Sequence, residues 1–310
     1  MNFSNILPTF FVTLREGFEA ALVVGIVLAC LKRAQKTQLN RSVYLGIIVG
    51  IFASIAVGLC LGGILQGVAN SDSVYAPALQ EVLAAGFGTV AIVMLSWMLL
   101  WMTRQAKFLK AEVEGAINSA IEKEDDRSNN AAKGVFLLIF IAVLREGFET
   151  VLFIAAQFQE GWQIPTTGAI AGLSIAALLG FLLFELGIKI NIRLFFQVMG
   201  IFLLLIVGGL VVGVLKHFDG AIFNLARIDT NYANLCIANS SSCILGARVW
   251  DASNFLPEKQ FPGILLKTLF GYRQTLYLAQ AVAYILFLAG VGGAYWRSIA
   301  GDGVRGRLKA

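Results

Sequence analysis

Charge is scarce in this chain. Only 14% of its 310 residues are Asp, Glu, Lys or Arg, against about 25% in a typical soluble domain, and the mean hydropathy is +0.77. That balance points to a protein solvated by lipid. There is one histidine, His217, so a zinc site or a copper site built on imidazole has almost nothing to draw on. No Gly-x-x-x-x-Gly-Lys-[Ser/Thr] string occurs, which argues against ATP drive through a phosphate-binding loop of this chain. Residues 1–5 contain no basic residue and the first apolar stretch is of full membrane length, so no separate secretory signal is expected.

What the chain does have is long apolar runs. Seven spanning helices are expected near 6–31, 43–68, 78–102, 134–157, 167–187, 194–216 and 274–296, each close to the roughly 20 residues needed to cross the hydrocarbon core. The fold class expected is an all-α polytopic membrane protein forming a single membrane domain, 1–310. Lys32, Arg33, Lys36 and Arg41 follow the first helix, and Arg104, Lys107, Lys110, Lys123, Arg127 and Lys133 lie between the third and fourth. Lys189, Arg193, Arg297, Arg305, Arg307 and Lys309 flank the fifth and seventh, whereas 69–77 and 158–166 carry no Lys or Arg. The positive-inside rule then places the N-terminus outside and the C-terminus inside the plasma membrane. The pI of about 9.1 is this orientation signal, and nucleic acid is not expected as a partner.

Against that apolar background one hexapeptide occurs twice: Leu14-Arg15-Glu16-Gly17-Phe18-Glu19 and Leu144-Arg145-Glu146-Gly147-Phe148-Glu149. Each copy lies deep in a spanning helix, where a single Arg or acidic residue costs roughly 2.5–3.5 kcal/mol. Mutual pairing or a bound cation must offset that penalty. Glu16 and Glu19 are three residues apart, as are Glu146 and Glu149, so each pair shares one helix face. Arg15 and Glu19, and Arg145 and Glu149, are four apart and can pair along their own helix. Gly17 and Gly147 remove a side chain where close helix approach is needed. If the motifs meet, four carboxylates and two guanidiniums carry a formal charge of −2. Carboxylate oxygen is a hard donor, so the candidates are ferric or ferrous iron, manganese, magnesium and calcium.

The motifs are 130 residues apart with three helices per unit. An odd count inverts the second unit, the signature of an inverted-topology repeat with its site near the bilayer midplane. The expected division is a first three-helix unit with its inner loop, 1–130; an inverted second unit, 131–216; an extracytoplasmic loop, 217–273; and a seventh helix with a cytoplasmic tail, 274–310. Helices one and four should meet antiparallel, motif against motif. In the 217–273 loop, Cys236 and Cys243 can bridge or remain free thiols.

Two copies of Arg-Glu-Gly-hydrophobic-Glu, in the first and fourth of seven helices, resemble the oxidase-dependent high-affinity iron permease family, which includes the bacterial Efe-type permeases. The usual form has Leu before the last Glu where this chain has Phe18 and Phe148. Trp97-Met98-Leu99-Leu100-Trp101-Met102, Trp250-Asp251 and Gly271-Tyr272 also resemble family features. The resemblance implies iron uptake, with Glu16, Glu19, Glu146 and Glu149 as translocation ligands and Arg15 and Arg145 as their electrostatic partners. The iron ion is then the transported substrate, no organic cofactor is implied, and the chain is not an enzyme. The expected partner is an extracytoplasmic iron-oxidising or iron-delivering protein, of the multicopper oxidase or haem peroxidase type. Fungal members carry Asp-Ala-Ser-Glu in an outer loop; Asp251-Ala252-Ser253-Asn254 lacks the last acidic group.

Other readings of the same residues are a structural clamp between helices, a proton-exchanging carrier for manganese or lead, and an intramembrane di-metal enzyme. The enzyme reading is opposed by the spacing, because bundle di-metal sites pair Glu with a His three residues later and here that residue is Glu. Glu81 is either a ligand where the ion comes in or a residue reaching interfacial water. Glu185 could line the way out, or pair with Lys189. The acidic run Glu122 to Asp126 is a solvated loop, and tryptophans 97, 101, 162, 250 and 296 fall mostly at predicted interfaces.

Overall fold

The structure, a computed structural model, describes residues 6–69, 71, 74–105, 128–156, 163–188, 191–228, 236, 242–258 and 260–299. Lys107, Lys110, Lys123, Arg127, the acidic run at 122–126, Trp162, Lys189 and the tail residues Arg305, Arg307 and Lys309 lie outside the described residues. Long helices run over Ile6–Arg33 (α1), Asn40–Ala69 (α2), Ala76–Gln105 (α3), Ser128–Ala156 (α4), Gln163–Phe184 (α5) and Ile192–Ile228 (α6). A short helix, Gly263–Phe270 (α7), precedes Leu278–Phe287 (α8), which continues through a π turn at Leu288–Gly292 to residue 299. The only strands among the described residues are Arg248–Asp251 (β1) and Thr275–Tyr277 (β2), paired antiparallel with Trp250 opposite Leu276.

Five of these helices, α2, α3, α5, α6 and extended α8, are long and apolar enough to cross a membrane. α1 and α4, of 28 and 29 residues, match them in length but carry the motif charges at mid-helix.

Small residues decide which helices touch. On α5, Gly168, Gly172, Ala176 and Gly180 recur at every fourth position, and on α2 so do Gly46, Gly50, Ser54 and Gly58. A fourfold spacing stacks them on one face and lets another backbone approach. α1 lies along the α5 ladder, α4 along the α2 ladder, and α3 along α6. A β-carbon at Gly172 would stand 2.6 Å from the Phe10 carbonyl oxygen and 2.8 Å from the Leu14 nitrogen. The close approach expected at Gly17 and Gly147 is made against these ladders: a β-carbon would lie 2.9 Å from Ala176 Cβ at Gly17 and 2.1 Å from Ser54 Oγ at Gly147. Gly168 faces Ile6 and Gly180 faces Ala21, so α1 and α5 run parallel. Gly46 faces Ile139 and Gly58 faces Val151, so α2 and α4 do too. α1 and α4 meet antiparallel: Val12 packs in one apolar cluster with Phe153, while Val27 and Leu31 pack in another with Val135 and Ile139. That crossing sets motif against motif.

Most expected boundaries differ from the observed ones by a few residues, the fourth helix starting at 128 rather than 134 and the fifth at 163 rather than 167, and two differences have a visible cause. The sixth helix continues past 216 to Ile228, because Lys216, His217 and Asp219 end the apolar run without ending helical geometry. The seventh starts at Leu278 rather than 274. Thr275-Leu276-Tyr277 is an apolar strand, which periodicity cannot separate from a helix over so few residues. Gln280 fixes the helix start: its Oε1 accepts from the Tyr277 amide at 3.2 Å and its Nε2 donates to the Val212 carbonyl at 3.1 Å. Between these helices Cys236 and Cys243 form a disulfide with Cα atoms 4.2 Å apart. Gly271, at φ +66°, ends α7 and rests on α6, where a β-carbon at Gly209 would lie 2.6 Å from its Cα.

Overpacking a close helix crossing costs about 1–3 kcal/mol. Gly172→Ala is therefore expected to lower the melting temperature of the detergent-purified protein, whereas Gly86→Ala, where nothing lies within 4 Å of the added carbon, should melt like wild type. Equal melting of the two variants would remove the α5 ladder as the contact that seats α1.

Candidate functional site

Each motif folds back on itself along one helix face. Arg15 Nη1 lies 2.6 Å from Glu16 Oε1, and Nη2 lies 2.9 Å from Glu19 Oε1. In the second copy Arg145 Nε donates to Glu149 Oε1 at 3.2 Å and is 4.0 Å from Glu146 Oε1. Both i, i+4 pairs expected from the spacing are formed.

The antiparallel crossing of α1 and α4 joins the copies. Glu16, Glu19 and Glu146 each present an oxygen within 4.8 Å of the other two, close enough for one cation to be shared among them. Glu149, held by Arg145, stands beside this trio. Glu16 Oε2, Glu146 Oε2 and Glu149 Oε2 are buried and accept no hydrogen bond among the described residues. Buried acceptors without donors are costly, and hard oxygens in this arrangement can coordinate a multivalent cation.

The two arginines differ in their surroundings. The Arg15 side chain is 1% exposed and Arg145 is 49% exposed. Both are also contacted by α3, which sequence reasoning missed. Arg15 Nη1 lies 3.2 Å from Met98 Sδ, and Arg145 Cζ stands 5.5 Å from the centroid of the Trp101 ring. Trp101, expected with the other tryptophans mostly at predicted interfaces, has its ring over a motif guanidinium. The available signal was the spacing, since Met98 and Trp101 are three residues apart and share one face of α3.

The other candidates lie apart from the carboxylates. Glu81 on α3 is 2.7 Å from His217 Nδ1 on α6, so its carboxylate faces a histidine. Glu185 is exposed in the turn after α5, and its expected partner Lys189 lies outside the described residues. Asp251 on β1 pairs with Arg248 at 2.6 Å and accepts from the Ser253 hydroxyl and amide at 2.6 and 3.0 Å. Those hydrogen bonds hold it below the usual carboxylate range. Next to it Trp250 stacks on Tyr272 with centroids 6.3 Å apart and donates to the Arg273 carbonyl at 2.9 Å, joining two of the patches noted in the sequence.

The sequence pattern of the Iron permease FTR1 family matches residues 6–296. A Synechocystis protein described as uncharacterised is 51% identical over 303 residues, spanning 98% of this chain and 97% of its own length. The ferrous iron permease EfeU of Escherichia coli O6:K15:H31 is 30% identical over 281 residues, with 90% and 91% of the two chains covered. The protein of the same name from Yersinia pseudotuberculosis is 28% identical over 292 residues, covering 92% and 90%. No solved structure matches the chain. With a match over nearly its whole length and long apolar helices to carry it, this multi-pass membrane protein belongs to the iron permease FTR1 family.

Proposed function

We propose that the chain imports iron across the bacterial inner membrane, with Glu16, Glu19, Glu146 and Glu149 as the ligands the ion passes over. The observation that carries this reading is the convergence of two identical hexapeptides, three of whose carboxylates, Glu16, Glu19 and Glu146, approach within 4.8 Å between two antiparallel helices. Four carboxylates against two guanidiniums leave a formal −2 that a di- or trivalent ion offsets. Iron arriving outside loses water to these oxygens and leaves inward, helped by about 2.3 kcal/mol per charge per 100 mV of inside-negative potential. Arg15 and Arg145 repel the ion and keep its binding shallow enough for release.

The reading includes seven spans, with the N-terminus outside and the C-terminus inside, and an inverted repeat of α1–α3 on α4–α6. The helix pairings support the repeat. Exchanging the units turns the parallel α1 and α5 pair into α4 and α2, also parallel, and returns α3 with α6 to itself. The disulfide between Cys236 and Cys243 supports an outside location for 217–273, since disulfides persist in oxidising compartments. An iron-oxidising or iron-delivering protein on that face is the partner this reading calls for, and no catalytic step is assigned to the chain itself.

Radioactive iron uptake in cells lacking their own importers tests the transport reading. At matched membrane levels the Glu16→Gln, Glu146→Gln double variant should lose at least the roughly 10-fold seen when outer-shell partners of a metal are removed. Undiminished uptake, or equal competition by manganese, would sink it. For orientation, a Cys30→Ser, Cys60→Ser chain in spheroplasts should react with a membrane-impermeant maleimide only after reduction. Labelling only in broken membranes would invert the topology.

A further inference from the structure

We propose that Trp101 is a positioning residue for Arg145, and that its ring sets how firmly this guanidinium competes with the transported cation for Glu149. The inference rests on the permease reading above and extends it to a residue outside the two motifs.

Arg145 has partners of two kinds, a ring and carboxylates, and besides Glu149 the carboxylates include Glu146, whose Oε1 lies 4.0 Å from its Nε. Its Nε donates to Glu149 at 3.2 Å, and its Cζ stands 5.5 Å from the Trp101 centroid. The ring face attracts a cation without neutralising it, and within about 6 Å the attraction is real. Glu149 therefore does not hold the guanidinium alone. When a multivalent ion draws on the oxygens of Glu149 and Glu146, the guanidinium must give up part of those contacts, and the indole face is a partner that does not itself bind the ion.

α3 serves the other motif in a parallel way. Met98, one turn before Trp101, offers its sulfur to Arg15 Nη1 at 3.2 Å, a weak and polarisable acceptor. One helix face thus meets both arginines. The side chains match their surroundings: the thioether meets the sealed Arg15, and the large ring covers the arginine whose side chain is 49% exposed. The observed contact uses the ring face, where the negative lobe of the aromatic quadrupole meets a cation.

Iron uptake kinetics on Trp101→Leu and Trp101→Phe, at matched membrane levels, test this. Without a ring, Arg145 falls back on Glu149 and the ion must displace a tighter pair. The half-saturating iron concentration should then rise about two- to fivefold in Trp101→Leu, with the maximal rate retained. Phe, which keeps a ring face but lacks the N–H, should restore it to near the wild-type value. A second readout needs no iron. The emission contributed by Trp101, taken in purified protein as the difference between wild type and Trp101→Phe, should shift when Arg145→Gln is introduced. The proposal is overturned by a Phe variant as impaired as Leu, by a loss confined to the maximal rate, or by Trp101 emission indifferent to Arg145→Gln. Absence of iron uptake by the wild type would instead defeat the permease reading, leaving the fluorescence to decide the contact.

Discussion

A guanidinium sealed between membrane helices must be held by carboxylates, and the carboxylates in turn by it, because water supplies nothing at that depth. Arg15, 1% exposed and within 2.9 Å of both Glu16 and Glu19, is the fullest case. Desolvating such groups costs several kcal/mol per ion, and their attraction repays it only with good geometry. The rest of the bundle supplies that geometry. Ladders of small residues on α5 and α2 let α1 and α4 sit close enough that Gly17 and Gly147 touch Ala176 and Ser54. A larger side chain at either glycine would tilt its helix and pull the charges out of register.

The surroundings of the two motifs are less alike than the motifs. α8 packs against the Arg15 side, with Tyr295 in the apolar cluster that contains Val12, Leu95 and Leu99. In the proposed repeat α8 has no counterpart, and Arg145 remains half open beneath Trp101. A site assembled from two like halves is thereby dressed differently on its two sides.

Much of this was legible in the sequence because charge in an apolar run is conspicuous. The doubled motif, its i, i+3 and i, i+4 geometry and the meeting of α1 with α4 follow from spacing and helix count. The partners of those helices do not. Gly46, Gly50 and Gly58 look like ordinary membrane-helix glycines until a neighbouring backbone is seen against them. Lys216 and His217 marked the end of an apolar segment but not of a helix, because helical hydrogen bonds continue where hydropathy stops. Glu81 could be placed near a helix end, yet nothing local announced His217, 136 residues away. Trp101 is the plainest case, since an interfacial indole and an indole stacked on an arginine are the same residue at the same helix end.

For a permeant ion, release matters as much as capture. Four carboxylates alone at bilayer depth would hold a multivalent cation too tightly to let it go, and would repel one another when it left. In the proposed reading the arginines answer both difficulties at once. When no cation is bound, guanidinium contacts of 2.6–3.2 Å take over the carboxylate charge; when one is, the same guanidiniums stay close enough to oppose it. Lysine would not serve equally, since its compact ammonium shifts its pKa readily when buried and cannot reach two carboxylates through a planar fork. The Arg15 fork does so, with Nη1 on Glu16 and Nη2 on Glu19. In the proposed reading the motif needs its arginine as much as its glutamates, and Met98 and Trp101 on α3, which meet the two guanidiniums, would bear on how the ion is let go.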